Sequence, residues 1–348
     1  MAIAVGQDKH LKGKGRGAER SLLDEALRPI KWELEAVTAR ILSQVADPIA
    51  QTVVYLITAG GKRLRPGLVL LAGAVGRAPN RRALIDTATA VELIHTATLI
   101  HDDIIDRSPL RRAQPAFHHR WGTERAVLMG DYLYATAFTL LARMRSPYVM
   151  RVMADVCRQL CRGELREVEV RYRLDLTEGE YLEIIRDKTA SLMGGCCRSG
   201  AYLGGCEPAM IERLTEFGLN IGLAFQIIDD CLDLVGDAQR LGKAILSDLD
   251  KGALSLPMIY LTQMLPARMR DRLFAPLRRA ATTGVRVTDR AFFARVAQAA
   301  ASSGAIAKAQ ERARECIRLA RHALDDIPMN GLAGAYQRLA EYAVVRRS

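Results

Sequence analysis

The stretch that decides the fold is Leu93–Asp106, LIHTATLIHDDIID, an apolar segment with helical spacing that ends in three aspartates. A second stretch, Leu223–Asp233 (LAFQIIDDCLD), repeats the arrangement. In each, the outer aspartates are four residues apart and share one helix face, whereas the middle one is turned away by about 100°. One such cluster would fit a surface salt bridge equally well. Two copies at the ends of apolar helices favour a cation site, and oxygen ligands of this type suit Mg²⁺.

The rest of the chain is predicted to be helical, because apolar residues recur at three- and four-residue steps while alternating strand patterns are nearly absent. We therefore expect an all-α fold with one large domain over residues 21–348, since no segment there resembles a linker. Residues 1–20, where Lys and Arg alternate with Gly, are expected to form a flexible basic tail. The helices are predicted at 21–45, 49–58, 67–76, 81–106, 124–145, 147–169, 178–203, 208–235, 255–264, 289–302, 304–325 and 331–345.

Composition narrows the possible classes of protein. With 49% hydrophobic and 26% charged residues, the 348-residue chain is typical of a folded globular protein. We find no apolar run of membrane-spanning length and no secretory signal, so a cytoplasmic location without a transmembrane segment is expected. The net charge of +11 suggests an anionic partner. A polyphosphorylated small molecule, a nucleic acid and an acidic lipid would each fit. The seven cysteines show no Cys-x-x-Cys spacing and are expected to be reduced.

Basic residues occur where a phosphate could be bound. Gly60–Pro66 (GGKRLRP) is a glycine turn followed by three cations and a proline suited to the first position of a helix. Lys62 and Arg65 could bind phosphate oxygens beside that helix N-terminus. His95 lies two helical turns before Asp102 on the same face, where it is either a core residue or part of the site.

Five segments of the sequence form a recognisable set: Gly60–Pro66, Asp102–Asp106 followed by Leu110–Arg112, Lys188–Thr189, Phe225–Asp233 and Leu339–Arg346. In residue identity, order and spacing they resemble the motifs of the trans-isoprenyl diphosphate synthase (polyprenyl synthetase) family. The likeness runs from about residue 25 to the end and is greatest to the long-chain octaprenyl and heptaprenyl type. It implies an isoprenoid synthase-type helical bundle around a central cavity, commonly a homodimer, with Mg²⁺ as the cofactor.

The resemblance also implies residue roles. The metal ions would be held by Asp102, Asp106, Asp229 and Asp233. Isopentenyl diphosphate would be bound by Lys62, Arg65, His95 and Arg112. The allylic diphosphate, or the cation that it forms, would be bound by Arg111, Lys188, Thr189, Gln226 and Lys243. The residues expected to act in catalysis are Asp102, Asp106, Asp229, Lys188, Thr189 and Gln226.

Product length should depend on the side chains below the first acid cluster. In the family, a bulky aromatic residue one turn before this cluster is associated with short products. This chain has Ala97 and Thr98 there, preceded by Ile94 and Val91. We therefore expect a product longer than geranylgeranyl diphosphate, as for quinone side chains.

Some positions depart from the family pattern. Ala113 stands where Gly is usual, and Ala253 stands where a second phosphate-binding Lys is expected, with Lys251 two residues earlier. The missing cation should weaken allylic diphosphate binding unless Lys251 reaches into the site. The pair His118-His119 could suggest a metal site, but no other residue supports one, and we expect these residues to be exposed to solvent or part of an interface.

Alternative functions remain at this point. A shorter-chain synthase, or the catalytic subunit of a two-component synthase that needs a second chain, would carry the same motifs. A terpene cyclase would not need the isopentenyl site. A nucleic-acid-binding protein would account for the charge but would leave the paired acids unexplained, so no nucleic-acid partner is expected. A membrane prenyltransferase lacks the required spans, although loose membrane association during product release would fit.

Overall fold

The computed structural model describes residues 19, 21–44, 50–58, 62–112, 114–235, 247–287, 289–325 and 327–345. Helices make up 81% of the structure and strands 1%, which confirms the all-α prediction. Residues 21–27 are helical and lead into a 3-10 turn at Arg28–Ile30. The further helices are α1 (Lys31–Ser43), α2 (Ala50–Thr58), α3 (Leu64–Val75), α4 (Arg81–Ile105), α5 (Phe117–Trp121), α6 (Thr123–Arg143), α7 (Pro147–Glu169), α8 (Glu178–Ile185), α9 (Ser191–Leu203), α10 (Pro208–Val235), α11 (Ser247–Asp250), α12 (Leu256–Met264), α13 (Ala267–Thr283), α14 (Arg290–Ser303), α15 (Ala305–Ala323) and α16 (Ala333–Val345). Apart from Glu19, the basic tail predicted at residues 1–20 lies outside the described residues.

The two helices that carry the acid clusters, α4 and α10, lie inside the bundle. Helix α4 packs against α3 and α6, while α10 packs against α9 and α15. Helix α9 joins these two groups, because it contacts both α3 and α10. The acid clusters are therefore the polar ends of helices whose other residues form the core.

Glycine permits the close helix crossings of α9. A Cβ at Gly200 would lie 2.1 Å from the carbonyl oxygen of Val69 on α3. A Cβ at Gly218 of α10 would lie 2.6 Å from the carbonyl oxygen of Met193 on α9. These separations are shorter than any van der Waals contact, so the three helices can approach this closely only where a side chain is missing.

Local sequence sets the ends of α4. The side chain of Asn80 accepts a hydrogen bond of 3.1 Å from the Ala83 amide and caps the first turn. The helix ends at Ile105, but the Asp106 amide still donates to the carbonyl oxygen of Asp102 over 2.8 Å. Asp102 and Asp106 therefore remain one turn apart, as the sequence spacing predicts.

The segment between α8 and α9 is not a regular α-helix. Residues Arg186–Ala190 form a single π-helical turn within the span that the sequence predicts as one continuous helix. Gly163 of α7 packs against this turn, because a Cβ there would lie 2.6 Å from the Lys188 amide nitrogen. Such bulges are often found at functional sites, and this one contains both Lys188 and Thr189.

Several predicted elements differ from the structure. Helix α3 begins at Leu64 rather than 67, so Pro66 lies within the first turn and not at its first position; its missing N–H is tolerated there because the first four amides have no helical partner. Helix α13 was not predicted, since its Arg-rich sequence and internal Pro276 hide a sparse buried face. A two-stranded hairpin, β1 (Leu110–Arg111) with β2 (Gln114–Pro115), was also missed.

The prediction that no segment could span a membrane was incomplete. Among the described residues, α4 is long and apolar enough by length and composition. However, 67% of the relevant window is buried inside the protein, as in the core helix of a bundle. All seven cysteines are unpaired with one another, as predicted.

Candidate active site

The first acid cluster lies where α4 ends and its three aspartates have different surroundings. Asp103 is buried and receives three hydrogen bonds from Arg111. Nε donates to Oδ1 over 3.0 Å and to Oδ2 over 3.1 Å, and Nη2 donates to Oδ1 over 2.5 Å. This bidentate ion pair connects the end of α4 to strand β1. Arg111 is therefore bound to the middle aspartate, a partner that the sequence did not suggest.

Asp106 is surrounded by cations from distant parts of the chain. Arg171, just after α7, donates from Nη2 to Oδ1 over 3.0 Å, and Lys251 donates from Nζ to Oδ2 over 2.8 Å. Arg286 donates to the Asp106 carbonyl oxygen over 3.2 Å. Burial acts to raise the pKa of Asp106, but the charge and hydrogen bond of Lys251 lower it below its ordinary value.

The third aspartate of this cluster, Asp102, lies near charged residues of α7 and of the π-helical turn. Lys188 Nζ lies 2.9 Å from Glu164 Oε1 and 2.5 Å from Glu167 Oε2. Burial raises the pKa of Asp102, against the opposing charges of Lys188 and Arg111. Burial likewise raises the pKa of Glu164 to about 7, with Lys188 opposing and Asp102 adding to the rise. Two adjacent carboxyl groups with raised pKa values form a site whose charge would be better balanced by an additional cation.

The residue after Lys188 leads to the second acid cluster. Thr189 Oγ1 donates to Gln226 Oε1 over 2.8 Å, and Gln226 Nε2 donates to Asp230 Oδ1 over 2.8 Å. Tyr181 donates its hydroxyl to the other oxygen of Asp230 over 2.6 Å. Lys188 and Thr189 are adjacent in the π-helical turn. Lys188 lies near Asp102 of the first cluster, and Thr189 bonds to Gln226 of α10, the helix that carries the second cluster.

The outer aspartates of the second cluster lie on the helix face that Gln226 directs towards Thr189. Asp229 and Asp233 follow Gln226 by three and seven residues, a spacing that keeps all three side chains on one side of α10. Asp229 is exposed and Asp233 is half-buried. Thr189 therefore bonds to the face of α10 that carries these acids, while the neighbouring Lys188 lies close enough to Asp102 to interact with its charge.

A cleft beside the first cluster collects further basic residues. Arg65 Nη1 lies 2.9 Å from His95 Nε2. Because a guanidinium can only donate, Nε2 accepts, which places the imidazole proton of the neutral ring on Nδ1. Burial, with the charges of Arg65 and Arg112, holds the pKa of His95 well below its ordinary value. His95, Arg111 and Arg112 line a small cleft of about 60 Å³ that opens to solvent.

The remaining predicted residues are distributed as follows. Lys62 donates to Glu19 over 3.1 Å and lies 5.3 Å from the centre of the Tyr342 ring, so it faces the two ends of the described chain. Lys243, together with Gly60, Gly61 and Ala113, lies outside the described residues.

Among the described residues, no three His, Cys, Asp or Glu side chains are close enough together to hold a metal ion. The acidic side chains fit Mg²⁺ in another way, because this ion is commonly bound by one or two carboxylates and completes its shell with phosphate oxygens and water. The acid pair Asp102 and Glu164, with its raised pKa values, is a donor set of that kind. His118 and His119 have ring centres 6.5 Å apart, and in the described part of the chain no third candidate ligand joins them; His118 is half-buried and His119 is exposed.

The Polyprenyl synthetase family profile matches residues 46–291 of this sequence. The chain belongs to the polyprenyl synthetase family. Members of this family are prenyltransferases, so the predicted reaction class is confirmed.

Individual relatives of this polyprenyl synthetase extend over almost the whole chain. It is 36% identical over 322 residues to heptaprenyl diphosphate synthase component 2 of Geobacillus stearothermophilus, covering 92% of this chain and 96% of the relative. It is 34% identical over 309 residues to the nonaprenyl diphosphate synthase of Mycobacterium tuberculosis, covering 88% and 89%. The crystal structure of a polyprenyl synthase from Caulobacter crescentus CB15, complexed with calcium and isoprenyl diphosphate, superposes with a TM-score of 0.87 at 36% identity, covering 94% and 98%. These likenesses confirm the predicted isoprenyl synthase fold.

Sequence reasoning missed several residues of this polyprenyl synthetase site. Glu164 and Glu167 lie three residues apart on α7, a helical spacing that the sequence contains but that ordinary surface helices share. Arg63 pairs with Glu92 over 3.4 Å beside Arg112. Arg171 had no local signal at all, because its partner Asp106 is 65 residues away.

Proposed function

We propose that this polyprenyl synthetase is a Mg²⁺-dependent trans-polyprenyl diphosphate synthase. It would join isopentenyl diphosphate head to tail (1′-4) to an allylic diphosphate and repeat the addition to a long all-trans product, of the kind used for quinone side chains. The observation that carries the proposal is the turn Lys188–Thr189, whose adjacent residues contact the surroundings of the first and the second acid cluster.

We call the region around Asp102, Asp106, Asp229 and Asp233 the acidic mouth. The allylic diphosphate would be bound and ionised there. Mg²⁺, when held by Asp102, Asp106, Asp229 and Asp233, would supply positive charge against the diphosphate as it departs. Lys188 contributes a fixed cation, because the carboxylates around it raise its pKa well above the ordinary value although burial acts to lower it. Thr189 and Gln226 are bonded to each other, which orients their polar groups before substrate binds.

The cleft beside the first cluster is the proposed isopentenyl diphosphate site. Arg65 and Arg112 would bind the phosphate oxygens, while the neutral His95 offers a donor at Nδ1 without adding a charge. This cleft borders α4 directly before Asp103, so its ligand would lie next to the acidic mouth. Holding the two substrates side by side supplies much of the acceleration of a bimolecular reaction. The resemblance assigns the final proton to the departing diphosphate.

The product is proposed to be long because residues 91–101, the three turns of α4 before Asp102, contain no Phe, Tyr or Trp. Ala97 is fully buried, as are Ile94 and Val91 on the turns before it. Thr98 lies one turn before Asp102, and its hydroxyl donates to the His95 carbonyl oxygen over 2.7 Å. An apolar lining of this kind also keeps water from an allylic cation. A shorter-chain synthase is the alternative that product analysis would decide.

We further propose that the protein is a cytoplasmic homodimer that associates loosely with membranes when it releases product. A second subunit is the alternative to consider, because one relative is named component 2 of a heptaprenyl diphosphate synthase. Light scattering of the purified chain and its activity without any partner would distinguish the two arrangements.

The deciding experiment is chromatographic product analysis with geranyl, farnesyl and geranylgeranyl diphosphates as starters, with Mg²⁺ present and with Mg²⁺ chelated. The expected result is a Mg²⁺-dependent all-trans product longer than geranylgeranyl diphosphate. Product that stops at geranylgeranyl diphosphate would refute the long-chain proposal. No product from the chain alone, but product after a second subunit is added, would favour the two-component alternative.

A further inference from the structure

Lys251 lies inside the acidic mouth although the sequence pattern does not place a phosphate-binding residue at this position. Its ammonium is 2.8 Å from Oδ2 of Asp106, and only 12% of its side chain is exposed. Asp106 lies 145 residues earlier in the chain, so the contact depends on the fold. Ala253, at the position where the family pattern predicts a lysine, has no cationic group to offer.

The backbone around Lys251 is held in place independently of its charge. The carbonyl oxygen of Gly252 accepts a 2.7 Å hydrogen bond from the Tyr172 amide. Gly252 has a φ of 80°, and a Cβ there would lie 2.6 Å from the Tyr172 ring. The turn is therefore anchored to the chain after α7, and it directs Lys251 towards Asp106.

Arg171, beside Tyr172, provides an independent indication that an anion binds here. Its Nη2 bonds to Asp106, but its Nε is buried and has no hydrogen-bond partner among the described residues. A buried donor without a partner is costly, and a bound water or ion is one explanation for such a group. Arg171 and Lys251 both contact the same carboxylate, so an anion bound at one would lie close to the other.

We propose that Lys251 is an exchangeable cation that replaces the missing lysine of position 253. Before ligands bind, it neutralises Asp106. When a divalent ion takes that carboxylate, the ammonium is released by like-charge repulsion and binds the diphosphate together with Arg171. The proposal rests on the proposed function, because it takes the diphosphate as the ligand of this mouth.

Two roles for Lys251 can be separated by the sign of their effects. If the lysine competes with the metal and binds the anion, its removal strengthens Mg²⁺ binding and weakens pyrophosphate binding. If it only maintains the local structure, its removal weakens both and lowers the melting temperature. Lys251→Met keeps the apolar stem and removes the charge, and Lys31→Met, at an exposed lysine that begins α1, is the matched control.

The experiment is calorimetric titration of the full chain with Mg²⁺ alone, and then with inorganic pyrophosphate in saturating Mg²⁺. For Lys251→Met we expect a severalfold tighter Mg²⁺ affinity and an about tenfold weaker pyrophosphate affinity, which corresponds to one charge-assisted hydrogen bond. The double variant with Ala253→Lys should recover pyrophosphate affinity. An unchanged pyrophosphate affinity, or the loss of both affinities together, would overturn the proposal.

Lys251→Arg guards against misfolding, because it keeps the charge and should retain pyrophosphate binding. If Lys251→Met unfolds while Lys251→Arg and the double variant bind pyrophosphate like the unaltered chain, the proposal is supported. If the double variant folds without recovering affinity, the proposal fails. These binding measurements need no turnover, so absence of prenyl transfer by the unaltered chain would refute the proposed function separately.

Discussion

The two acid clusters have the same sequence spacing but different surroundings. The first is surrounded by charged residues from distant segments, with Arg171 and Lys251 on Asp106. In the second cluster, the contacts between described residues include neutral donors, with Gln226 and Tyr181 bonded to Asp230. In both, the middle aspartate is buried and bonded to a side chain from another segment, Arg111 for Asp103 and Tyr181 for Asp230. The comparison shows that acids of equal spacing meet different neighbours, which are determined by the fold and not by the spacing.

The largest expected effect is on turnover, and it tests whether the outer aspartates of the two clusters are equivalent. Asp102→Asn and Asp229→Asn should each lower prenyl transfer by about 10²–10³-fold, because each would remove charge that stabilises the transition state. The measurement is incorporation of labelled isopentenyl diphosphate. Asp271→Asn, on exposed α13, is the control and should keep full activity. A variant at either cluster that retains most of its activity would show that the clusters do not act together.

The second prediction concerns stability and distinguishes the two middle aspartates. Asp103→Asn would leave Arg111 without its carboxylate and should lower the free energy of unfolding by about 3–5 kcal/mol, as for a broken buried ion pair. Asp230→Asn would weaken the hydrogen bonds from Gln226 and Tyr181 and should lower the free energy of unfolding by about 1–3 kcal/mol. Urea unfolding of the two variants gives both values. Equal losses would mean that the ion pair of Arg111 with Asp103 stabilises the fold no more than the hydrogen bonds on Asp230 do.

A smaller effect is expected at the turn between the clusters. Thr189→Val removes the hydroxyl that bonds to Gln226 and should raise the KM for the allylic diphosphate about tenfold, which is the effect of one hydrogen bond to a charged ligand. The KM for isopentenyl diphosphate should be unaffected, because Thr189 does not line the cleft proposed for that substrate. Thr189→Ser keeps the hydroxyl and serves as the control. Equal increases in both KM values would place Thr189 outside the allylic site.

The smallest change in the rate of prenyl transfer is expected from substitutions at two matched buried alanines, and only one of them should change the length of the product. Ala97 and Ala224 each lie five residues before the first aspartate of a cluster, and both are fully buried. Ala97→Phe should shorten the product, whereas Ala224→Phe should not, although both substitutions cost about 1–3 kcal/mol by overpacking. Product chromatography decides the matter. An unchanged product in Ala97→Phe would place the floor of the cavity elsewhere, and equal shortening in both would point to a general packing effect.

Much of the fold was predictable, because the apolar period of the central helices is regular and their ends carry clear signals such as Asn80 at the start of α4. Helix α13 was not, since an amphipathic surface helix needs only a few buried residues and Pro276 interrupts its pattern. In the site, the spacing within each cluster predicted which acids share a face. The contacts of Arg171 and Lys251 could not be predicted, because nothing in the local sequence shows which of the many basic residues a distant carboxylate will meet.

The sequence by itself determined two apolar helices that end in aspartates of equal spacing, because helical periodicity is a local property. It also showed the basic segments that accompany these helices. Only the tertiary structure decided that Lys188 pairs with Glu164 near Asp102, that Thr189 bonds to Gln226 of α10, and that Lys251 lies on Asp106. Those arrangements depend on how helices pack and on where glycine lets their backbones approach, as at Gly163 and Gly200. Long-range charge pairing follows from that packing, and it is therefore set by the whole fold rather than by any one segment.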